Sequence, residues 1–256
     1  VGWVIGFVIC GVEHSGTTLV SDLFRQVPGI DAGFEVGVLL ADTPRAFPAL
    51  SVHAEITRWG WGLDEAALEA CCNTDDFLEF YRRLQAASVV IWRDTHTIFD
   101  KTPRYLADLG ACMRKLRVPF FVTFKDPRAI VYSDWRNSGA PEFFAWFADY
   151  APVKVAYVRT MYAEYQRAME VRDPLFCPIR LEELCVDTRR TCERMYAHVG
   201  CAFSPAYMVL RGVRYENTRF NAVSAGVPFE YYAHFDAAVQ AEIARVFGEL
   251  GDWFYE

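Results

Sequence analysis

The sequence predicts a three-layer α/β/α protein with a central parallel sheet and a P-loop-like phosphate-binding loop after its first strand. Three observations lead there. Short apolar, β-rich runs alternate with segments of helical pattern, as a parallel sheet covered on both faces requires. The first run, from Trp3 to Cys10, passes through a Gly-bearing loop into a helix-like stretch at Leu19-Val20-Ser21. A chain of 256 residues with 53% hydrophobic content supports one substantial core, so residues 1–256 are expected to form one domain.

Strands are expected at 3–10, 30–34, 89–92, 119–125 and 175–180, where apolar and β-branched residues run together. Helices are expected at 17–27, 64–72, 75–87, 103–115, 128–138, 142–171, 187–199 and 236–250. Asp64 and Thr74 have the side chains of N-caps. Pro103 and Pro127 suit a first helical turn, where the missing N–H costs nothing, with Thr102 as the cap before Pro103. The aromatic stretch 143–150 reads as core or helix packing. The stretch 58–62 reads first in the same way; as the second reading, the glycines flanking Trp59 and Trp61 suggest a loop and the wall of an acceptor pocket.

Residues Gly11-Val12-Glu13-His14-Ser15-Gly16-Thr17-Thr18 join strand to helix. Backbone N–H groups of such a loop converge, and the helix dipole favours an anion. A nucleoside triphosphatase loop would read G-x-x-x-x-G-K-[ST]. Here Thr17 stands where that lysine would be, so the loop can hold a phosphate but lacks the cation that reaches β- and γ-phosphates. That points to a nucleotide without a γ-phosphate. A second anion site is expected at Lys125 and Ser133, a cation at a strand end and a hydroxyl a turn or so into the next helix, with Arg128 and Arg136 nearby. A third cation, Lys101, follows Asp100 and precedes Thr102-Pro103-Arg104-Tyr105. Ligands of open α/β sheets bind beyond the carboxyl ends of the strands, so these three segments can converge.

Together these segments resemble the sulfotransferases that use 3′-phosphoadenosine 5′-phosphosulfate (PAPS). His14-Ser15-Gly16-Thr17-Thr18 is similar to their 5′-phosphosulfate loop, in which Lys or Arg often takes the place of His14. Lys125 and Ser133 have the spacing of the Arg and Ser that hold the 3′-phosphate, and Lys in place of Arg exchanges a bidentate fork for a point charge. Asp100-Lys101-Thr102-Pro103-Arg104-Tyr105 resembles a Lys-Thr/Ser-Pro-x-Tyr element whose lysine neutralises charge at the breaking bond. Gly33-Phe34-Glu35 resembles the Gly-x-Glu segment of tyrosylprotein sulfotransferases, whose glutamate is the general base. Ile179-Arg180-Leu181-Glu182-Glu183-Leu184 resembles the segment after the last strand. No counterpart of the Arg-Lys-Gly element of cytosolic phenol and steroid sulfotransferases is evident, so the resemblance is closer to Golgi and bacterial types, including tyrosylprotein and heparan sulfate sulfotransferases.

The resemblance implies Glu35, Lys101 and His14 as catalytic residues. It implies His14, Ser15, Gly16, Thr17, Thr18, Lys125, Ser133, Arg128 and Arg136 as the donor site, no metal, and adenosine 3′,5′-bisphosphate (PAP) as product. The acceptor, a hydroxyl or amine compound, is not specified. His96, five residues before Lys101, is an alternative base. A small-molecule kinase of P-loop type and a non-catalytic nucleotide-binding protein remain as rival readings.

A net charge of −7 and a pI near 5.3 argue against a nucleic-acid partner, and any anion site must gather its cations locally. No run of about 18 apolar residues appears, so no membrane span is expected. The eight cysteines include no C-x-x-C pair and no zinc spacing, and read as buried thiols. That leans to a cytoplasmic location, or to the Golgi lumen if an upstream anchor exists.

Overall fold

The computed structural model describes residues 4–212 and 222–248. Among these, five strands form one parallel sheet in the order β2-β3-β1-β4-β5. They are β1 (Ile5–Gly11), β2 (Ile30–Asp31), β3 (Thr97–Lys101), β4 (Phe120–Phe124) and β5 (Phe176–Arg180). β1 and β4 are near-continuous apolar runs because helices cover both faces of the sheet. The helices are α1 (Thr17–Phe24), α2 (Ser51–Trp61), α3 (Glu65–Cys72), α4 (Phe77–Ala87) and α5 (Leu109–Lys115), followed by α6 (Pro127–Ser138), α7 (Phe143–Val171), α8 (Leu181–Val186), α9 (Thr188–His198) and α10 (Ala237–Phe247).

On one face, Phe7 packs against Phe24 of α1 at 4.2 Å between centroids, against Phe99 of β3 at 4.9 Å, and against Phe121 of β4 at 5.5 Å. Tyr196 of α9 closes this cluster edge-on to Phe24 and donates its hydroxyl to the Leu23 carbonyl at 2.9 Å. On the other face, α5 and α7 cover the sheet; Cys112 of α5 is buried there, and Tyr165 of α7 packs on Phe124. The three-layer α/β/α architecture expected from the sequence is thus the one observed.

The element expectations hold where an apolar pattern is long, and fail in particular places. Residues 89–92 are not a strand: Val89 is 80% exposed, and the Trp92 amide donates to the Asp31 carboxylate instead of a neighbouring strand. The strand is Thr97–Lys101, hidden in sequence because its last two residues are charged. β2 spans only Ile30–Asp31 of the expected 30–34, since the chain must leave the sheet to place residues 32–37 above it. Asp76, not Thr74, caps α4; the Thr74 hydroxyl instead accepts from the Asp76 amide. Asp64 caps α3 as expected. Residues 103–108 form a 3-10 turn before α5, and there the Thr102 side chain makes no cap bond. α2 was not expected; its C-terminal Trp61 is fully buried core, while Trp59 is 66% exposed on a helix and not on a loop. All eight cysteines are free thiols. Residue 3 of the first expected strand and residues 249–250 of the last helix lie outside the described residues.

The Phe7 cluster ties β1, β3, β4 and α1 together, so its loss should be felt globally. Phe7→Ala should cost about 3–5 kcal/mol of unfolding free energy, the usual loss for a buried phenylalanine. Urea denaturation followed by tryptophan fluorescence measures it, and a loss below about 1 kcal/mol would show that this cluster does not hold the sheet.

Candidate active site

β3, β1 and β4 are adjacent and parallel, and Ile9 pairs with Lys101 while Gly11 pairs with Thr123. Three polar segments therefore leave the sheet side by side: Lys101, the loop after Gly11, and Lys125. Gly11 is required, because a Cβ there would lie 2.3 Å from the Thr123 carbonyl oxygen. Ser15 is fully buried, with its Oγ 2.5 Å from the Val12 carbonyl and 2.7 Å from Thr123 Oγ1. Its amide also donates to the Val12 carbonyl at 3.1 Å, so Ser15 shapes the loop. Gly16, in the left-handed region at φ 94°, is the N-cap of α1. The first amides of α1 have no intrahelical partners, as at every helix start.

His14 also takes positive φ, 65°, which turns its ring toward α6. Its Nε2 lies 3.3 Å from Asp134 Oδ1. Asp134 also accepts from the Tyr150 hydroxyl at 2.5 Å and pairs with Lys154 at 2.9 Å, both on α7. Burial holds the His14 imidazole below its ordinary value; Asp134 opposes this and the nearby Lys125 and Lys154 add to it.

Lys125 donates to Ser133 Oγ at 2.8 Å, and that hydroxyl donates to the Ala129 carbonyl at 2.9 Å. The expected pair is thus assembled. Burial pulls the Lys125 ammonium down to about 8. Among the described residues no carboxylate pairs with it directly. Arg136 faces the same space and lies 3.4 Å from Glu230. Arg128 does not: it forks onto Asp126 at 2.6 Å and stacks on the rings of Tyr231 and Tyr232.

A cleft of about 440 Å³ joins these groups. Its floor is His14, Gly16, Thr17, Thr18, Lys125 and Ser133. Ala222, Ser224, Val227 and Tyr231, from nearly a hundred residues further along the chain than Lys125, also line it. No local pattern in that segment signals a ligand site; only the tertiary fold brings it there.

Beside the cleft, Lys101 Nζ meets Glu35 Oε1 at 2.8 Å and sits 4.2 Å above the Phe34 ring. Lys101 is buried and Glu35 is about one-fifth exposed. Trp59 packs edge-on to Phe34. Next to this pair the sequence reading missed His53 of α2, which fits against Gly37 so closely that a Cβ there would be 2.8 Å away. Burial lowers the His53 imidazole, with Glu35 opposing and Arg104 adding. His96, the expected alternative base, lies before the opposite end of β3, where its amide bonds Gly29. Five strand residues, about 16 Å, separate it from Lys101.

The sequence was also compared with known proteins. The family model described as "Sulfotransferase family" matches residues 7–205, more than half of the chain. The chain belongs to the sulfotransferase family. Among solved structures, the sulfotransferase domain of the curacin biosynthetic pathway aligns with a TM-score of 0.65 at 14% identity, covering 96% of this chain and 97% of that one. The sulfotransferase domain of the Synechococcus PCC 7002 olefin synthase aligns at 0.63 and 14%, covering 98% and 94%. A mouse sulfotransferase in complex with PAP aligns at 0.54 and 10%, covering 96% and 84%. At these identities the likeness shows the sulfotransferase fold. No match was found among curated proteins.

One further group marks this site. Asp100, fully buried beside Lys101, accepts from Tyr81 at 2.5 Å, Tyr105 at 2.7 Å and Thr102 at 2.8 Å. Burial pushes its carboxyl up to about 6, against the pull of these hydroxyls. A carboxyl raised in the folded state holds its proton more tightly there, so the associated stability is present in acid and lost as pH rises through the folded value. The stability of the wild type relative to Asp100→Asn should therefore decline between about pH 4 and about pH 7 in urea titrations. A difference that does not decline would show that Asp100 titrates at the ordinary value.

Proposed function

We propose that this sulfotransferase moves a sulfuryl group from PAPS to a hydroxyl or amine acceptor, with Glu35 as base. Family and fold support sulfuryl transfer in general. The observation that carries the finer reading is the arrangement of two anion sites in one cleft, Gly16–Thr18 with His14 and Lys125 with Ser133, beside the Lys101–Glu35 pair. Two separated phosphate positions fit a nucleotide phosphorylated at both 5′ and 3′ ends. The mouse relative was solved with PAP, a nucleotide of that kind.

In this reading the amides of Gly16, Thr17 and Thr18 hold the 5′-phosphosulfate, and Lys125, Ser133 and Arg136 hold the 3′-phosphate. Arg128, committed to Asp126, acts at most by fixing the start of α6. Glu35 takes the acceptor proton. The acceptor oxygen or nitrogen forms its bond to sulfur as the bond from sulfur to the 5′-phosphate oxygen breaks. Charge collects on that oxygen, and Lys101 with His14 offsets it. Such transfer depends on positioning and electrostatics, as phosphoryl transfer does. Lys101, held between the Glu35 carboxylate and the Phe34 ring, keeps the base near its cation before the acceptor arrives. Among the described residues no cluster of metal-ligating side chains occurs, and the scheme uses none. No helix among them is long and apolar enough to cross a membrane.

PAP should raise the melting temperature far more than ATP, which has no 3′-phosphate. Lys125→Ala should weaken PAP binding by ~1.5–3 kcal/mol, the worth of a hydrogen bond to a charged group. Thermal melts measure the first and calorimetric titration the second, and equal stabilisation by ATP and PAP would remove the donor assignment.

Glu35→Gln should keep PAP affinity and lose ~10²–10⁴-fold in turnover with labelled PAPS, the usual contribution of a general base. Turnover near wild type would move the base role to His53, the histidine that stands beside Glu35.

A further inference from the structure

We infer that Asp100 is a positioning residue that, through Thr102 and Tyr105, fixes the segment presenting Glu35 to Lys101. The catalytic meaning of this inference rests on the function proposed above.

An ionised carboxylate only accepts hydrogen bonds, and a hydroxyl has one proton to give. Thr102 and Tyr105 spend that proton on Asp100, at 2.8 and 2.7 Å. Their remaining capacity is as acceptors, and backbone amides use it. Thr102 Oγ1 accepts from the amides of Val36 at 3.0 Å and Gly37 at 3.1 Å. The Tyr105 hydroxyl accepts from the Leu39 amide at 3.3 Å. One buried carboxylate thereby sets the polarity of a network that ends on three amides, the first of them immediately after Glu35. Thr57 of α2 holds the same stretch from the other side, donating to the Val36 carbonyl at 2.7 Å.

Adjacent residues of β3 thus act on the two ends of one unit: Lys101 on the Glu35 side chain, Asp100 on the backbone beyond it. Among the described residues 32–37 contain no helix or strand, so hydrogen bonds to neighbouring elements fix this backbone, and those to Thr102 are the ones next to Glu35. Burying a charge among hydroxyls is costly compared with an apolar filling of the same volume. What the arrangement gains is a fixed backbone beside Glu35, which a base that must stay in hydrogen-bond reach of its cation requires.

The test uses Thr102→Val, which keeps the shape and removes the hydroxyl, with Thr102→Ser as the restoring variant and Tyr105→Phe as a milder second lesion. Three readouts are taken. Amide exchange should rise at Val36 and Gly37 in Thr102→Val, and at Leu39 in Tyr105→Phe, with β1 and β4 unchanged. PAP affinity should stay within about twofold of wild type while turnover falls by about tenfold or more, and Thr102→Ser should recover most of it. Thr102→Val placed in the Glu35→Gln background should cause no further loss, since a residue acting through Glu35 has nothing left to position. An equal loss in both backgrounds, unchanged turnover, or unchanged exchange at these amides would each overturn the inference. If the wild type transfers no sulfuryl group from PAPS, the proposed function falls and takes the catalytic role with it. Amide exchange at Val36, Gly37 and Leu39, measured also in Asp100→Asn, then separately decides whether Asp100 holds the segment through Thr102 and Tyr105.

Discussion

The contact on which the site depends is the close approach of β1 and β4 at their carboxyl ends. With no side chain at Gly11, the Thr123 carbonyl and hydroxyl can press against that backbone, and Ser15 Oγ then bonds Thr123. The start of one anion loop is thereby joined to the strand that, two residues later, delivers Lys125. The spacing between the two anion sites is set by this junction and not by the flexible ends of side chains. A methyl group at Gly11 would separate the strands and alter both sites at once, although neither Gly11 nor Thr123 need touch a ligand.

Much of this was legible in the sequence. Long apolar runs gave β1 and β4, because strands covered on both faces cannot hide their composition, while β5 at the sheet edge showed as a shorter, half-buried run. The residues Gly16 to Thr18, Lys125 and Ser133 assemble as their spacing implied, since each lies just past a strand end. β3 was missed because its function and its periodicity conflict: Asp100 and Lys101 sit where a core pattern calls for apolar residues. The run 89–92 attracted the assignment instead, being β-rich but exposed. Trp59 and Trp61 were placed together on a loop because of their glycines, whereas a helix sends one to the core and the other to solvent. His96 and His53 show the limit of proximity in sequence. The first is near Lys101 in number and far along the strand; the second is distant in number and packs against Gly37. The role of Ser15 was also misjudged in kind, because a hydroxyl in a phosphate loop reads as a ligand contact, yet this one is spent within the loop.

Electrostatically the chain is acidic, and its site does not offset this with an excess of basic residues. It buries its cations. Lys101 and Lys125 are nearly inaccessible, and each is given something other than water to contact: a carboxylate and a ring for the first, a hydroxyl for the second. A dehydrated ammonium attracts an anion more strongly than one on the surface, because the lower local dielectric strengthens the interaction. The protonation balance of His14 follows the same logic. Burial and two lysines disfavour its charge and two carboxylates, Asp134 and Glu13, favour it, so an arriving dianion would tip the balance.

The cleft is also distributed unevenly along the chain. Its floor is complete by Arg136, while one side is formed by residues 222–231, and Leu181 packs against Gly16 between them. Tyr231 then bonds Asp126 at 3.1 Å, joining the late segment to the start of α6. During synthesis, therefore, the phosphate loop emerges long before the residues that enclose it. A nascent chain would display the loop as an open, weakly binding surface and acquire a walled cleft only when the last third of the sequence had docked. On the function proposed above, nucleotide binding would report on completed folding, and a bound nucleotide would bridge early and late parts of the chain much as a covalent crosslink does.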